Sequence, residues 1–157
     1  MATMVGKQKE LSDLLYSLIE LDLDAVTAYE AAIEKLSDAG VKTQLGRFLN
    51  DHERHVAELV PELEKLGKDA PKGPDVKAVL AKGKVVIGGI FGDRAILSAM
   101  KTNEDDTNTA YERACDRHDL TPLLSEILKR GLSDERRHRR YIEDCLAVQG
   151  REHHVTR

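Results

Sequence analysis

The sequence predicts an all-α fold, a four-helix bundle of two antiparallel helical hairpins joined by a long crossover. Three observations predict it. Leu and Ala are abundant, whereas aromatic residues make up 4 % of the chain and Trp is absent, a composition that suits helices better than a β-sandwich. Apolar residues recur at helical spacing along four long segments. Two of the links between these segments take a few residues and one takes roughly 25, the pattern of two helical hairpins with one crossover.

The first helix is expected at about 7–37, with Leu11, Leu14, Leu15, Leu18, Ala25, Ala32 and Leu36 on one stripe. Ser37-Asp38-Ala39-Gly40 stops it, and Gly40 suits a left-handed position after the helix end. The second, about 41–66, carries Val41, Leu45, Phe48, Val56, Leu59, Leu63 and Leu66. Residues 67–92 form the crossover. It opens rich in Gly, Pro and Lys and closes on an apolar, glycine-rich stretch at 85–92 expected to pack over the bundle. Asp93 is a candidate N-cap for a third helix running to about 118. Thr121-Pro122 reads as an N-cap followed by proline in the first turn of a fourth, about 122–149. The tail from Arg151 is expected to fray. The whole of 1–157 is read as one domain, as its length suggests.

Bulk chemistry excludes several functions. Net charge is −4, with acids and bases interleaved. The run Arg136-Arg137-His138-Arg139-Arg140 turns most of its arginines away from the His138 side of a helix, so it reads as a solvated face. Nucleic acid is not an expected partner. Two cysteines, Cys115 and Cys145, make no disulfide framework. The N-terminal residues lack the apolar region of a signal peptide, and no run approaches bilayer length. A soluble, cytoplasmic protein with no membrane partner is expected.

The two hairpins resemble each other. Thr27-Ala28-Tyr29-Glu30 matches Thr109-Ala110-Tyr111-Glu112, and Asp51-His52-Glu53-Arg54-His55 matches Asp134-Glu135-Arg136-Arg137-His138. A duplicated hairpin implies a pseudo-twofold axis, and a site on that axis receives side chains in pairs. Such a site is visible in the stripes. In the fourth helix Glu135 and His138 lie at the centre of the apolar face, between Leu128 and Ile142. A Glu-x-x-His pair puts carboxylate and imidazole side by side, and burying both without partners is costly. A divalent metal would partner both. His52 and His55 fall at the matching place in the second helix. Asp22 interrupts the first stripe, and Glu104, somewhat off the centre of its face, is its counterpart in the third. All six stand near the midpoints of their helices, where antiparallel neighbours meet. On depth alone, Asp22 matches His55 better than His52. Tyr29 and Tyr111 follow Asp22 and Glu104 by seven residues, two turns on the same face. They read mainly as packing residues within hydrogen-bonding reach of the layer.

With these residues the chain resembles the ferritin-like superfamily, which includes bacterioferritin and rubrerythrin. That family takes one Glu from each of two helices and Glu-x-x-His from each of the other two. The resemblance spans about 11–146 and looks closest to small, largely uncharacterised bacterial proteins, some linked to stress responses. It implies metal ligation by Asp22, His52, His55, Glu104, Glu135 and His138. The sequence departs from the pattern twice, with Asp22 for a Glu and His52 for the carboxylate of the first motif. A mono- or dinuclear centre of Fe, or of Mn or Zn, is therefore expected. The implied function is metal binding with Fe(II)/O2 or peroxide chemistry. The alternative is a structural or stress-related bundle whose buried polar network fixes helix register without metal. A third reading is an oligomerisation module, with residues 85–92 as the candidate contact of a homodimer.

Overall fold

The computed structural model describes residues 3–71 and 87–155. Four long helices dominate them: α1 (Leu11–Lys35), α2 (Ala39–Lys65), α3 (Asp93–Cys115) and α4 (Pro122–Val155). Helix α1 packs mainly on α2 and α3 mainly on α4, while α1 also meets α3 and α2 also meets α4. The hairpins of the sequence reading are present, and they pack side by side into a four-helix bundle.

Helix directions follow from bonds at the two ends. At one end the Asp93 carboxylate, at the start of α3, accepts from the backbone N–H groups of Ser37 and Asp38 in the α1–α2 link, at 2.9 and 3.1 Å. At the other end Arg117, just past α3, donates to the carbonyls of Gln8 and Lys9, and Lys68, past α2, pairs with Asp13 of α1. So α2 ends and α3 begins at opposite ends of the bundle, as a crossover along its length requires. The central part of the expected 67–92 crossover, residues 72–86, lies outside the described residues.

Several boundaries differ from the sequence reading. Helix α1 starts at Leu11 rather than near 7 and ends at Lys35. Helix α2 begins two residues earlier than expected because Asp38 caps it, accepting from the Val41 N–H at 2.9 Å. Gly40 consequently lies inside α2, and its φ is not positive. Asp93 is not an N-cap. Gly92, at φ 87°, holds that position, and Asp93 is the first helical residue. Helix α3 ends at Cys115 rather than 118. Thr121 does cap α4, accepting from the Leu124 N–H at 3.2 Å. That helix then runs on to Val155, where a frayed tail was expected. Leu66, placed on the second stripe, is exposed at the α2 C-cap. Pro61 sits within α2. It and Ala57 are exposed, so the carbonyl left without its N–H partner can be hydrated.

The apolar interior has two halves. One gathers Ala28, Ala32, Leu36, Leu45, Phe48, Leu97, Met100 and Ile142. The other gathers Leu14, Leu15, Leu18, Leu59, Leu63, Ala110, Leu124 and Leu128. Between them lies a belt of buried polar side chains.

Asp93→Ala removes two acceptors from the α1–α2 link. We predict a loss of about 1 kcal/mol in chemical denaturation, with faster amide exchange at Ser37 and Asp38.

Candidate metal centre

All six side chains singled out from the sequence meet in the belt. Asp22 (α1), His52 and His55 (α2), Glu104 (α3), and Glu135 and His138 (α4) are each at most 2 % exposed. They form two overlapping groups whose donor atoms lie within 4.8 Å of one another. One is Asp22, His52, His55 and Glu135, and the other is His52, Glu104, Glu135 and His138. His52 and Glu135 belong to both.

In the first group the Asp22 carboxylate binds Nδ1 of both α2 histidines, at 2.8 Å to His52 and 3.2 Å to His55. The depth argument that favoured His55 was too coarse, because one oxygen reaches both rings. Glu135 Oε1 stands 3.4 Å from His52 Nδ1 and 3.3 Å from His55 Nδ1. In the second group His52 Nε2 is 3.6 Å from Glu104 Oε1. His138 Nδ1 is 3.8 Å from Glu104 Oε2 and 3.9 Å from Glu135 Oε2. Glu104, expected off-centre, is buried in the middle of the belt.

The tyrosines bond across the bundle. Tyr29 of α1 donates to Glu104 of α3 at 2.5 Å, and Tyr111 of α3 donates to Asp22 of α1 at 2.7 Å. Each tyrosine thus serves the other hairpin's acid, not the one two turns before it. Antiparallel α1 and α3 put residue 29 level with 104 and residue 22 level with 111. Burial and the neighbouring carboxylates hold both hydroxyls protonated, with pKa values well above the ordinary 10. Gly131 makes room for this. A Cβ there would stand 2.5 Å from Cε1 of Tyr111.

Four residues that pair with the belt escaped the sequence reading: Asp51, Arg54, Asp134 and Arg137. Asp134 binds Nε2 of His55 at 3.1 Å, and Asp51 binds Nε2 of His138 at 3.0 Å. Each Arg bridges both acids. Arg54 lies 3.1 Å from Asp51 and 2.5 Å from Asp134, and Arg137 lies 2.5 Å from Asp51 and 3.2 Å from Asp134. The signal was present as a repeated Asp-x-x-Arg-His in the matched segments. A carboxylate on the far nitrogen of a histidine fixes the ring and frees the near nitrogen for a metal.

Charge in the belt is nearly self-compensating. Burial alone would depress the histidine pKa values, but carboxylates overturn it. Glu135, Asp22 and Glu104 raise His52 to about 10, and Asp134, Asp22 and Glu135 raise His55 to about 12. Burial opposes ionisation of Asp22, yet its bonds to His52 and His55 hold it down at about 2. Burial and the nearby Glu135 push Glu104 up. Glu135 goes down despite its burial, held by His52 and His55.

What the belt lacks is hydrogen bonds at its centre. His52 Nε2, His138 Nδ1 and both oxygens of Glu135 are buried with no hydrogen-bond partner. Orphaned polar atoms are rare in a folded interior and costly. A tetrahedral ion with bonds of about 2.0–2.1 Å sets its donors about 3.4 Å apart, close to the spacing in both groups. Imidazole and carboxylate donors suit Fe, Mn or Zn. The residues present therefore fit a metal ion.

Fold and site together define a four-helix bundle with a buried carboxylate–histidine centre able to hold metal. Residues 10–117 match the family described as a domain of unknown function, DUF2383, and the chain belongs to that family. The match covers α1 to α3 with Asp22, His52, His55 and Glu104. Helix α4 with Glu135 and His138 lies beyond it. Neither a curated protein nor a solved structure matches the chain. Among the described residues no helix is long and apolar enough to cross a membrane.

Two predictions follow from the geometry. Gly131→Ala forces the Tyr111 ring aside and breaks its bond to Asp22, with a loss of about 1–3 kcal/mol from overpacking; Tyr111→Phe at the same site should cost less, as urea midpoints will show. For the chelated protein, the raised values of His52 and His55 contribute stability that is complete below about pH 6.5. That stability drains away as pH climbs toward 10 and beyond, on the order of 1 kcal/mol per pH unit for each imidazolium. The depressed Asp22 contributes stability present above about pH 4 and lost as pH falls through 2. Urea midpoints in chelator should therefore decline from pH 6.5 to 9, and saturating Zn(II) should abolish that decline.

Proposed function

We propose that this is a ferritin-like metal-binding protein whose mid-bundle centre holds Fe, Mn or Zn through Asp22, His52, His55, Glu104, Glu135 and His138. The observation that carries the reading is the set of orphaned donors at the centre, above all the Glu135 carboxylate, fully buried with neither oxygen hydrogen-bonded. Bound iron would supply redox chemistry toward O2 or peroxide, the activity that a ferritin-like stress protein calls for.

The chain's own groups prepare for this. Asp51 and Asp134 orient His138 and His55 so that Nδ1 of each faces inward. Tyr29 and Tyr111 hold Glu104 and Asp22 in place. Because His52 and His55 hold protons in the absence of metal, uptake releases protons and tightens as pH rises. A cytoplasmic location and a homodimer belong to the same proposal.

The second reading is a metal-free polar network that sets helix register. It is favoured by the direct bonds of Asp22, Asp51 and Asp134 to the three histidines, which already balance much of the charge.

Elemental analysis of untagged protein decides between them. On the metal reading the protein carries Fe, Mn or Zn, and stripping it lowers Tm by roughly 5–10 °C. Glu135→Gln then removes both the metal and the metal-dependent part of Tm. If no metal is retained, and none of the three raises Tm when added, the network reading stands.

A further inference from the structure

We infer that the belt holds a single ion, bound by His52 Nε2, His138 Nδ1, Glu104 and Glu135, and that Asp22 and His55 position these ligands without touching it. The inference rests on the metal-binding reading above and deepens it. It gives the number of ions, the place, and the division of the six residues into four ligands and two supports.

The two overlapping groups of donors differ in what is already bonded. In the group of Asp22, His52, His55 and Glu135, Asp22 Oδ1 accepts from Nδ1 of His52 at 2.8 Å and from Nδ1 of His55 at 3.2 Å. Its Oδ2 accepts from Tyr111 at 2.7 Å. His55 spends its other nitrogen, Nε2, on Asp134 at 3.1 Å. Of these four side chains, Glu135 alone turns unbonded atoms into the group. An ion placed there would have to break both bonds between Asp22 and the histidines to gain its nitrogens.

The unbonded atoms converge on the other group. His52 Nε2, His138 Nδ1 and both Glu135 oxygens are buried without a hydrogen bond, and they are all the unbonded donor atoms of the six side chains. Glu104 completes the set. Its Oε1 accepts from Tyr29 at 2.5 Å and keeps a lone pair for a second partner. One ion here satisfies every orphaned donor of the belt and leaves the bonds of Asp22 and His55 intact.

Spacing separates the groups in the same way. His52 Nε2 and Glu104 Oε1 are 3.6 Å apart, and His138 Nδ1 stands 3.8 Å from Glu104 Oε2 and 3.9 Å from Glu135 Oε2. These gaps are too wide for hydrogen bonds and slightly wider than the ~3.4 Å between donors of a tetrahedral ion, so the ligands close in by a few tenths of an ångström. The contacts of Asp22 with the histidines are hydrogen-bond lengths. Each ligand histidine also has a carboxylate behind it, Asp22 on His52 Nδ1 and Asp51 on His138 Nε2 at 3.0 Å, the arrangement that fixes a metal-bound ring. His55 has an aspartate on each edge and acts as the wedge that holds Asp22. The charges of Glu104 and Glu135 match those of one divalent ion.

The test adds Zn(II), Mn(II) or anaerobic Fe(II), each alone, to metal-free full-length protein. Bound metal per chain is counted after gel filtration, and its position is read from an anomalous-scattering map of crystals. One ion per chain is expected, within bonding distance of His52 Nε2 and His138 Nδ1. Two ions per chain, or one on the Nδ1 side of His52, overturns the inference and leaves metal binding intact. No retention of any of the three metals overturns the metal-binding reading as well. Among variants that keep the helical circular dichroism of the parent, His138→Gln should lose the ion on gel filtration. His55→Gln should retain it, with Kd weakened by no more than about 10–100-fold. Retention by His138→Gln, or loss by His55→Gln, overturns the assignment of ligands, and the map of the unaltered protein decides it if a variant does not fold.

Discussion

Burying charge in the middle of a helical bundle is the constraint on which the rest of this structure depends. Asp22, Glu104, Glu135, His52, His55 and His138 are withdrawn from water at one level of the fold. An isolated charge there would be prohibitive, and removing one partner of such a set leaves the others uncompensated. Every neighbouring choice can be read as an answer to that demand. Tyrosines donate to the acids on α1 and α3, aspartates hold the histidines on α2 and α4, and arginines clamp those aspartates at the surface. The apolar residues above and below seal the belt and keep water from doing the same work.

The duplication supplies most of these answers in pairs. Tyr29 with Glu104 mirrors Tyr111 with Asp22, and His55 with Asp134 mirrors His138 with Asp51. Arg54 mirrors Arg137 across the same ring of ion pairs. The symmetry breaks at one place, where His52 on α2 stands opposite Glu135 on α4. That break gives the centre its chemical character, because a ring with two donor nitrogens replaces a second carboxylate. Asp22, shorter than Glu104 by one methylene, is the smaller departure; its carboxylate still reaches two histidines.

Periodicity made the helices legible, because a helix that buries one face must repeat its apolar residues every three to four positions. The same logic exposed Glu135 and His138, since a charged pair in the centre of an apolar stripe stands out without knowledge of any partner. Helix ends were less legible. Asp38 and Asp93 are both plausible caps by residue type, and only the approach of α3 to the α1–α2 link gives Asp93 its different task. Asp51 and Asp134 escaped notice for a related reason. They lie at the edge of their stripes and look like surface acids until α2 and α4 are packed together.

The sequence by itself determined the four-helix class, the pairing into hairpins, the internal repeat and the six residues of the belt, because each follows from spacing along one helix or similarity between two segments. Tertiary structure alone decided which side chain meets which. Tyr29 crosses to Glu104 and Tyr111 to Asp22, Gly131 leaves room for a ring from another helix, and the two edges of His52 open on two groups of donors. These are contacts between helices, set by the direction and depth at which the helices pack, and no pattern within a single helix encodes them.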